Sequence, residues 1–217
     1  MAGTMTEAIV LHAALRPPLS LPWEEALLQA LPYARRLELA RRHSEARRAS
    51  IVALGLVLMA TERISGRCYP PSALLFPSGG KPALRGGPCF SVSHTDSSVA
   101  CITSLASACG LDIEEVDVQA DSATRLKLER WTATEAALKA AGQGLRAAHD
   151  VVLGDALDVA FLRNDRYMLQ ALEAVPGCLG HVASPAALTL VIEAVDLAGP
   201  GISAALERSL GLPPQFE

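Results

Sequence analysis

The chain has 217 residues, of which 50% are hydrophobic, 19% are charged and 4% are aromatic. This composition is typical of a folded globular protein and excludes a disordered chain. The sequence contains no run of about 18 uncharged apolar residues, so no membrane span is predicted. The five cysteines are scattered and include no Cys-x-x-Cys pair. We therefore expect reduced thiols in the cytoplasm rather than a zinc site or a disulfide framework.

Charge is distributed unevenly along the chain. Residues 31–67 contain eight arginines and three glutamates, whereas residues 149–217 contain three arginines and nine acidic residues. A basic segment of this kind predicts an anionic ligand held by the first half. Nucleic acid is disfavoured because the net charge is −4 and aromatic residues are few. A small phosphorylated ligand fits these observations better.

In chain order, the hydrophobic pattern predicts a strand and then a loop in residues 1–32, followed by helices over 33–64 with a break near Ser44. Residues 66–88 are rich in Gly and Pro and predict loops and turns. The later predicted elements are strands at 90–94, 99–104 and 110–118, a helix at 122–141, a hairpin of 156–161 with 167–174, and a buried strand at 187–195. Since helices and strands do not alternate regularly, these elements predict an α+β fold.

Asp112 and Glu114 form a carboxylate pair on the strand predicted at 110–118. Side chains two residues apart on a strand point to the same face, so the two carboxylates stand side by side while Leu111 and Ile113 face the core. Adjacent carboxylates repel each other unless a cation lies between them, and oxygen-only ligands favour Mg²⁺. An isolated Asp-x-Glu triplet is also common on a solvated strand face, and both interpretations stay open.

Glu135 and Lys139 lie one turn apart on the helix predicted at 122–141 and therefore share a face. They could supply a third metal-binding carboxylate and a cation for a phosphate group. Alternatively, Thr132 and Glu135 fit a helix capping box, with Lys139 as the salt-bridge partner of Glu135 and Gly142 as the end of the helix. The spacing alone does not choose between these two interpretations.

Three further positions precede the carboxylates and suit phosphate binding. Lys81 stands next to Pro82 in the predicted loop, where a lysine is more commonly just solvated. Ser93 and His94 end a predicted strand and offer a hydroxyl and an imidazole. Each of these signals is weak by itself.

The order of these segments resembles that of the 4′-phosphopantetheinyl transferases of the monomeric Sfp-type. The resemblance is carried by Gly-Lys-Pro, Phe-x-x-Ser-His, Gly-x-Asp-x-Glu and Trp-Thr-x-x-Glu-Ala-x-x-Lys, followed by Gly-x-Gly-Leu, all within residues 80–145. These residues make up roughly a third of the chain, and the combination of motifs is highly specific. Thr134 departs from the family, which often has lysine at that position.

The resemblance implies a pseudo-twofold pair of similar α+β halves, residues 1–104 and 105–217, with coenzyme A bound between them. It implies an enzyme that moves the phosphopantetheine arm of coenzyme A to a serine of an apo acyl or peptidyl carrier protein and releases 3′,5′-ADP. The pathway would be fatty acid, polyketide or nonribosomal peptide biosynthesis, and the protein a cytoplasmic monomer. The alternative is a non-catalytic regulatory homologue that binds coenzyme A or a carrier protein.

The resemblance also implies roles for the residues described above. Asp112, Glu114 and Glu135 would bind Mg²⁺. Glu135 would also accept the serine proton and Lys139 would bind the departing phosphate, which makes these two the expected catalytic residues. The residues expected to hold coenzyme A are Arg48, Lys81, Pro82, Ser93, His94 and Lys139.

A basic segment follows a predicted helix cap at Asp121. Arg125, Lys127 and Arg130 place three cations within six residues. Carrier proteins are acidic helical bundles, as the family resemblance implies, so we expect this segment to be their docking surface. Alternatively, the three cations are ordinary solvated helix positions balanced by Glu129.

Overall fold

The structure is a computed structural model and describes residues 6–16, 21–78, 80–106 and 108–212. The helices are α1 (Pro22–Ala30), α2 (Tyr33–Ala40), α3 (Ser44–Ser65), α4 (Ser122–Ala141) and α5 (Pro200–Leu210). The strands are β1 (Thr6–Ala14), β2 (Leu74–Leu75), β3 (Ala83–Leu84), β4 (Cys89–His94), β5 (Ser98–Ser104), β6 (Gly110–Glu115), β7 (Val151–Leu153), β8 (Val159–Leu162), β9 (Asp165–Ala171), β10 (Cys178–Ser184) and β11 (Leu188–Ala194). The fold is α+β, as the sequence predicts.

Two sheets dominate the architecture. The first has the strand order β11-β1-β5-β4 and the second has the order β6-β10-β9-β8-β7, while β2 and β3 form a separate short ladder. Neighbouring strands are antiparallel except for β1 and β11, which are parallel. Because β11 joins the first sheet, residues after 105 contribute to both sheets.

Helix α3 is the central helix of the first sheet. It packs on β1 and β5, and α1 and α5 contact it as well. All of its residues from Ala49 to Thr61 are buried, because neighbouring elements surround it. Although α3 has 22 residues, none of the described helices is both long enough and apolar enough to cross a membrane.

Helix α4 lies on β6 and β10 of the second sheet. It begins where the Asp121 side chain accepts a hydrogen bond from the Thr124 backbone N–H at 2.7 Å, and it ends at Gly142, which has the left-handed φ of 67°. An ideal Cβ at Gly110 would lie only 1.9 Å from the Ala136 carbonyl oxygen. Glycine at position 110 therefore permits this close approach of α4 to β6.

The edge strands β4 and β6 face each other where the two sheets meet. The backbone N–H of Leu111 donates to Ser91 Oγ at 3.1 Å, and the Ser93 hydroxyl donates to Asp112 Oδ1 at 2.7 Å. These side-chain hydrogen bonds join the two sheets along a seam. The candidate site lies at one end of this seam, where α4 passes over β6.

Several predicted elements are confirmed. Residues 33–64 form two helices, α2 and α3, with the break just before Ser44. The strand pair β4 and β5 and the hairpin β8 and β9 are present, and α4 spans residues 122–141 as predicted. These elements have clear local periodicity, which explains why the sequence identifies them.

Other predictions were wrong or incomplete. Helix α1 forms where a loop is predicted, because Pro22 suits the first helical turn and Trp23 and Leu27 are buried. The strand predicted as buried at 187–195 is present as β11, but most of it is exposed, since it lies at the edge of its sheet and pairs only with β1. Strands β2 and β3 lie in the segment predicted as loops and turns, and strands β7 and β10 and helix α5 were not predicted either.

Candidate functional site

Three carboxylates converge at the seam. Asp112 and Glu114 project from β6 and Glu135 from α4, and one oxygen from each lies within 4.8 Å of the others. Leu111 and Ile113 are buried in the core on the opposite face of β6, as strand alternation predicts. The structure therefore brings together the three residues that the sequence suggests as Mg²⁺ ligands.

Asp112 is the buried member of this cluster. Its side chain is almost inaccessible, with a residue exposure of 2%, so the interpretation as a solvated strand face is wrong. Its Oδ1 accepts hydrogen bonds from Ser93 Oγ at 2.7 Å and from Lys139 Nζ at 2.6 Å. Its Oδ2 has no hydrogen-bond partner among the described residues. A buried carboxylate oxygen without a partner is costly, and a bound cation would remove that cost.

Burial and the negative charge of Asp112 raise the pKa values of Glu114 and Glu135. Two neighbours oppose this effect. Trp131 Nε1 donates to Glu114 Oε1 at 3.2 Å, and Lys139 Nζ lies 3.8 Å from Glu135 Oε2. The cluster thus holds more negative charge than Lys139 neutralises, and oxygen ligands of this kind fit Mg²⁺.

The capping-box interpretation of Glu135 is wrong. Helix α4 begins ten residues before Thr132, so Thr132 lies in the middle of the helix and cannot cap it. Its side chain is fully buried. The Thr132 hydroxyl donates to the Glu129 carbonyl at 3.0 Å and lies 2.8 Å from His181 Nδ1 on β10. Thr132 therefore ties α4 to the sheet and helps to fix Glu135, one turn further along, beside Asp112.

The carboxylates line a cleft of about 700 Å³ that is also lined by two arginines. Arg35 and Arg42 both pair with Glu38, at 2.6 and 2.7 Å, and Arg42 Nη1 donates to Ser50 Oγ at 2.9 Å. Both arginines belong to the basic segment of residues 31–67, but neither was among the predicted site residues. Arg35 lies on α2 and Arg42 lies two residues beyond its end, so no local pattern in the sequence indicates that both line one cleft.

Pro82, Ser93, His94 and Lys139, four residues predicted to hold coenzyme A, line the same cleft. Burial, together with the positive charges of Arg42 and Lys139, lowers the pKa of His94, so its imidazole is neutral at pH 7. An anionic ligand would favour the protonated imidazole. The His94 imidazole and the cationic groups of Arg42 and Lys139 therefore line one cleft in which a phosphate could bind.

Lys81 lies in an adjoining cavity of about 210 Å³, which is also lined by Pro82 and Lys139. Its ammonium group donates a hydrogen bond to the Cys109 carbonyl. The shared lining residues show that this cavity adjoins the carboxylate cleft. Lys81 can therefore contact an extended ligand, but it does not line the cleft itself.

The structure does not bring Arg48 into the carboxylate cleft. Its guanidinium donates to the Leu15 carbonyl and to Glu24 Oε1, both at 2.9 Å. Arg48 lines a neighbouring cavity of about 870 Å³, which the cleft adjoins at His94. Its contact with coenzyme A stays a prediction.

No family model matches this sequence, and no curated protein matches it significantly. The geometry of the site therefore carries the interpretation. Carboxylates suited to a divalent cation lie in one cleft with ammonium and guanidinium groups suited to phosphate oxygens. Such an arrangement can bind a phosphorylated ligand together with a metal ion.

Proposed function

We propose that the chain is a 4′-phosphopantetheinyl transferase of the Sfp-type. It would move the phosphopantetheine arm of coenzyme A to a serine of an apo acyl or peptidyl carrier protein and release 3′,5′-ADP. One observation carries the proposal: residues from four separate sequence segments line a single cleft. These residues are Pro82, Ser93, His94, Asp112, Glu114, Glu135 and Lys139.

Asp112, Glu114 and Glu135 would hold Mg²⁺ in this cleft. The Oδ2 of Asp112 is a buried ligand atom without a hydrogen-bond partner among the described residues, and burial together with the Asp112 charge raises the pKa values of both glutamates. A bound cation would relieve both effects, which supports this assignment. When bound, Mg²⁺ supplies positive charge that offsets the charge of the coenzyme A pyrophosphate. Transfer of a phosphoryl-type group depends mainly on this neutralisation and on positioning.

Glu135 is the proposed acceptor of the serine proton. Burial and the nearby Asp112 charge raise its pKa, which makes it a stronger base than an ordinary glutamate. Lys139 would donate hydrogen bonds to the departing phosphate of 3′,5′-ADP. Its ammonium donates to Asp112 Oδ1 at 2.6 Å, and this contact would hold it beside the proposed metal site.

The nucleotide would be held by the basic part of the cleft. Arg42 and His94 provide a guanidinium and an imidazole for a phosphate, and Lys81 could reach the ligand from the adjoining cavity. Thr134 cannot replace the lysine that the family often has, and its hydroxyl donates to the Arg130 carbonyl of its own helix at 2.8 Å. In this proposal Arg35 and Arg42 supply the cationic charge instead.

The architecture is compatible with the two proposed halves, residues 1–104 and 105–217. Each sheet carries one long helix, α3 on the first and α4 on the second, and the sheet edges β4 and β6 meet at the cleft. In a pseudo-twofold arrangement, coenzyme A would bind between these halves. Strand β11 and helix α5, which belong to the second half in sequence, would then pack on the first half. We propose that the protein acts as a cytoplasmic monomer.

The deciding experiment combines the purified protein, coenzyme A, Mg²⁺ and an apo carrier protein, and measures the intact mass of the carrier. A gain of one phosphopantetheine, lost on chelation and in Glu135→Gln, would support the transferase. Binding of coenzyme A without a mass gain would select the non-catalytic homologue. Release of pantetheine phosphate with an unmodified carrier would select a nucleotide hydrolase.

A further inference from the structure

Two cysteine thiols meet at the seam between the sheets. Cys89 begins β4, Cys109 immediately precedes β6, and their sulfur atoms are 3.1 Å apart. Cys109 is fully buried and Cys89 is half-buried. Neither thiol has a role in the proposed transfer reaction, and the pairing of residues twenty positions apart is created by the fold.

The surroundings of the two thiols make Cys89 the more reactive one. The hydrogen bond between the two thiols and the nearby positive charge of Lys81 lower the pKa of Cys89 to about 7. Burial raises the pKa of Cys101 to about 12, and a hydrogen bond to Glu62 raises the pKa of Cys68. Since the thiolate is the nucleophile, Cys89 is better suited to oxidation than these other two thiols.

Cys89 is also accessible to a small molecule. It lines a surface cavity of about 560 Å³, together with Gly86, Gly87 and Ser104. Cys109 lies behind it with no exposed surface. This arrangement places the attacking thiol at the surface and a second thiol within reach of it, which is typical of an oxidisable pair.

We propose that Cys89 and Cys109 form a redox-sensitive dithiol that a hydroperoxide converts to an intramolecular disulfide. The Cys89 thiolate attacks one peroxide oxygen, the O–O bond breaks, and Cys89 becomes a sulfenic acid as hydroxide leaves. Cys109 then attacks the Cys89 sulfur, the S–S bond forms, and the sulfenic oxygen leaves as water with the proton of Cys109. The two sulfurs together supply the two electrons that reduce the peroxide.

The disulfide would join the two sheets covalently. It would lie next to the hydrogen bond between Ser91 and Leu111 and would fix the Cys109 carbonyl that accepts from Lys81. Because it closes a loop of about 20 residues, we expect oxidation to raise the unfolding temperature by roughly 5 °C or more. This proposal does not depend on the proposed transferase activity, so either can fail without the other.

The test uses the full-length protein and about five equivalents of hydrogen peroxide at about pH 7.5, near the pKa of the reactive thiol. Remaining thiols are alkylated in denaturant, and the protein is analysed by intact mass and peptide mapping. We expect two fewer alkylated thiols, a linked peptide pair containing Cys89 and Cys109, and reversal by dithiothreitol. Linkage through Cys68, or stepwise oxygen addition without a linked pair, would overturn the proposal.

Three variants and one measurement on the unsubstituted protein sharpen the test. In Cys109→Ser, oxidation should stop at a Cys89 sulfenic acid, which dimedone traps. Cys89→Ser should form no disulfide. The control variant Cys68→Ser should oxidise like the wild type. In the native wild-type protein at about pH 7, iodoacetamide should modify Cys89 at least about tenfold faster than the more exposed Cys68. Equal rates, or faster modification of Cys68, would contradict the proposed reactivity.

Discussion

Substitution of Gly110 by alanine tests how the fold positions the carboxylate cluster. The new Cβ would lie 1.9 Å from the Ala136 carbonyl oxygen and 2.5 Å from the Ala140 backbone nitrogen. Both are backbone atoms of α4, so no side-chain rotation relieves the overlap. The helix or the strand must move by about 1 Å or more, and the substitution resembles the overpacking of a core. Since Ala136 directly follows Glu135, the movement separates Glu135 from Asp112.

The size of the effect follows from this displacement. Overpacking costs about 1–3 kcal/mol, which lowers the unfolding temperature of a chain of this length by roughly 2–12 °C. A shift of about 1 Å in a positioned group reduces reaction rates by roughly a hundredfold. We therefore expect Gly110→Ala to fold with reduced stability, to bind Mn²⁺ at least about tenfold more weakly, and to lose most of any transfer activity.

Thermal unfolding and calorimetric titration with Mn²⁺ measure the two effects separately. Gly144→Ala is the matched control, because Gly144 has an ordinary φ of −88° and an ideal Cβ there meets no atom within 4 Å. The control should retain the wild-type unfolding temperature and Mn²⁺ affinity. Wild-type values of both quantities in Gly110→Ala would refute the argument that this contact positions the site.

Three further predictions address the metal, the nucleotide and the carrier. Asp112→Asn keeps the shape of the buried side chain and removes its charge, so the rise in unfolding temperature on adding Mg²⁺ should disappear; an undiminished rise would contradict the metal assignment. Because a phosphate favours the protonated form of His94, whose pKa is lowered in the free protein, coenzyme A affinity without metal should increase as the pH falls from about 8 to about 6. His94→Gln should lose that part of the calorimetric pH dependence, and an unchanged slope would exclude His94. If the proposed function holds, Arg125→Glu with Lys127→Glu should raise the carrier KM several-fold at nearly constant kcat, with a defect that shrinks as salt increases. A wild-type carrier KM at low salt would show that the carrier docks elsewhere. Within the described residues Arg125 and Lys127 form no ion pair, so both are available to an acidic partner.

Local sequence patterns were sufficient to predict the features that depend on neighbouring residues. Strand alternation predicted that Asp112 and Glu114 share a face, and Asp121 and Gly142 marked both ends of α4. These predictions hold because side-chain direction in a strand and capping in a helix are set within a few residues. Helix α5 begins with Pro200 at a helical N-terminal position, a local signal that was present but not used.

Which of these groups come into contact depends on the packing of elements that are distant in the sequence. Glu135 lies beside Asp112 because Gly110 lets α4 approach β6. Asp112 is buried there, although a solvated strand face was one of the two interpretations that the sequence left open. In the same way, packing placed Arg42 in the carboxylate cleft and Arg48 in its neighbour, although both belong to one basic segment. Local periodicity predicts which face of an element is buried, as it does for Leu111 and Ile113, but contacts between elements distant in the sequence depend on tertiary packing.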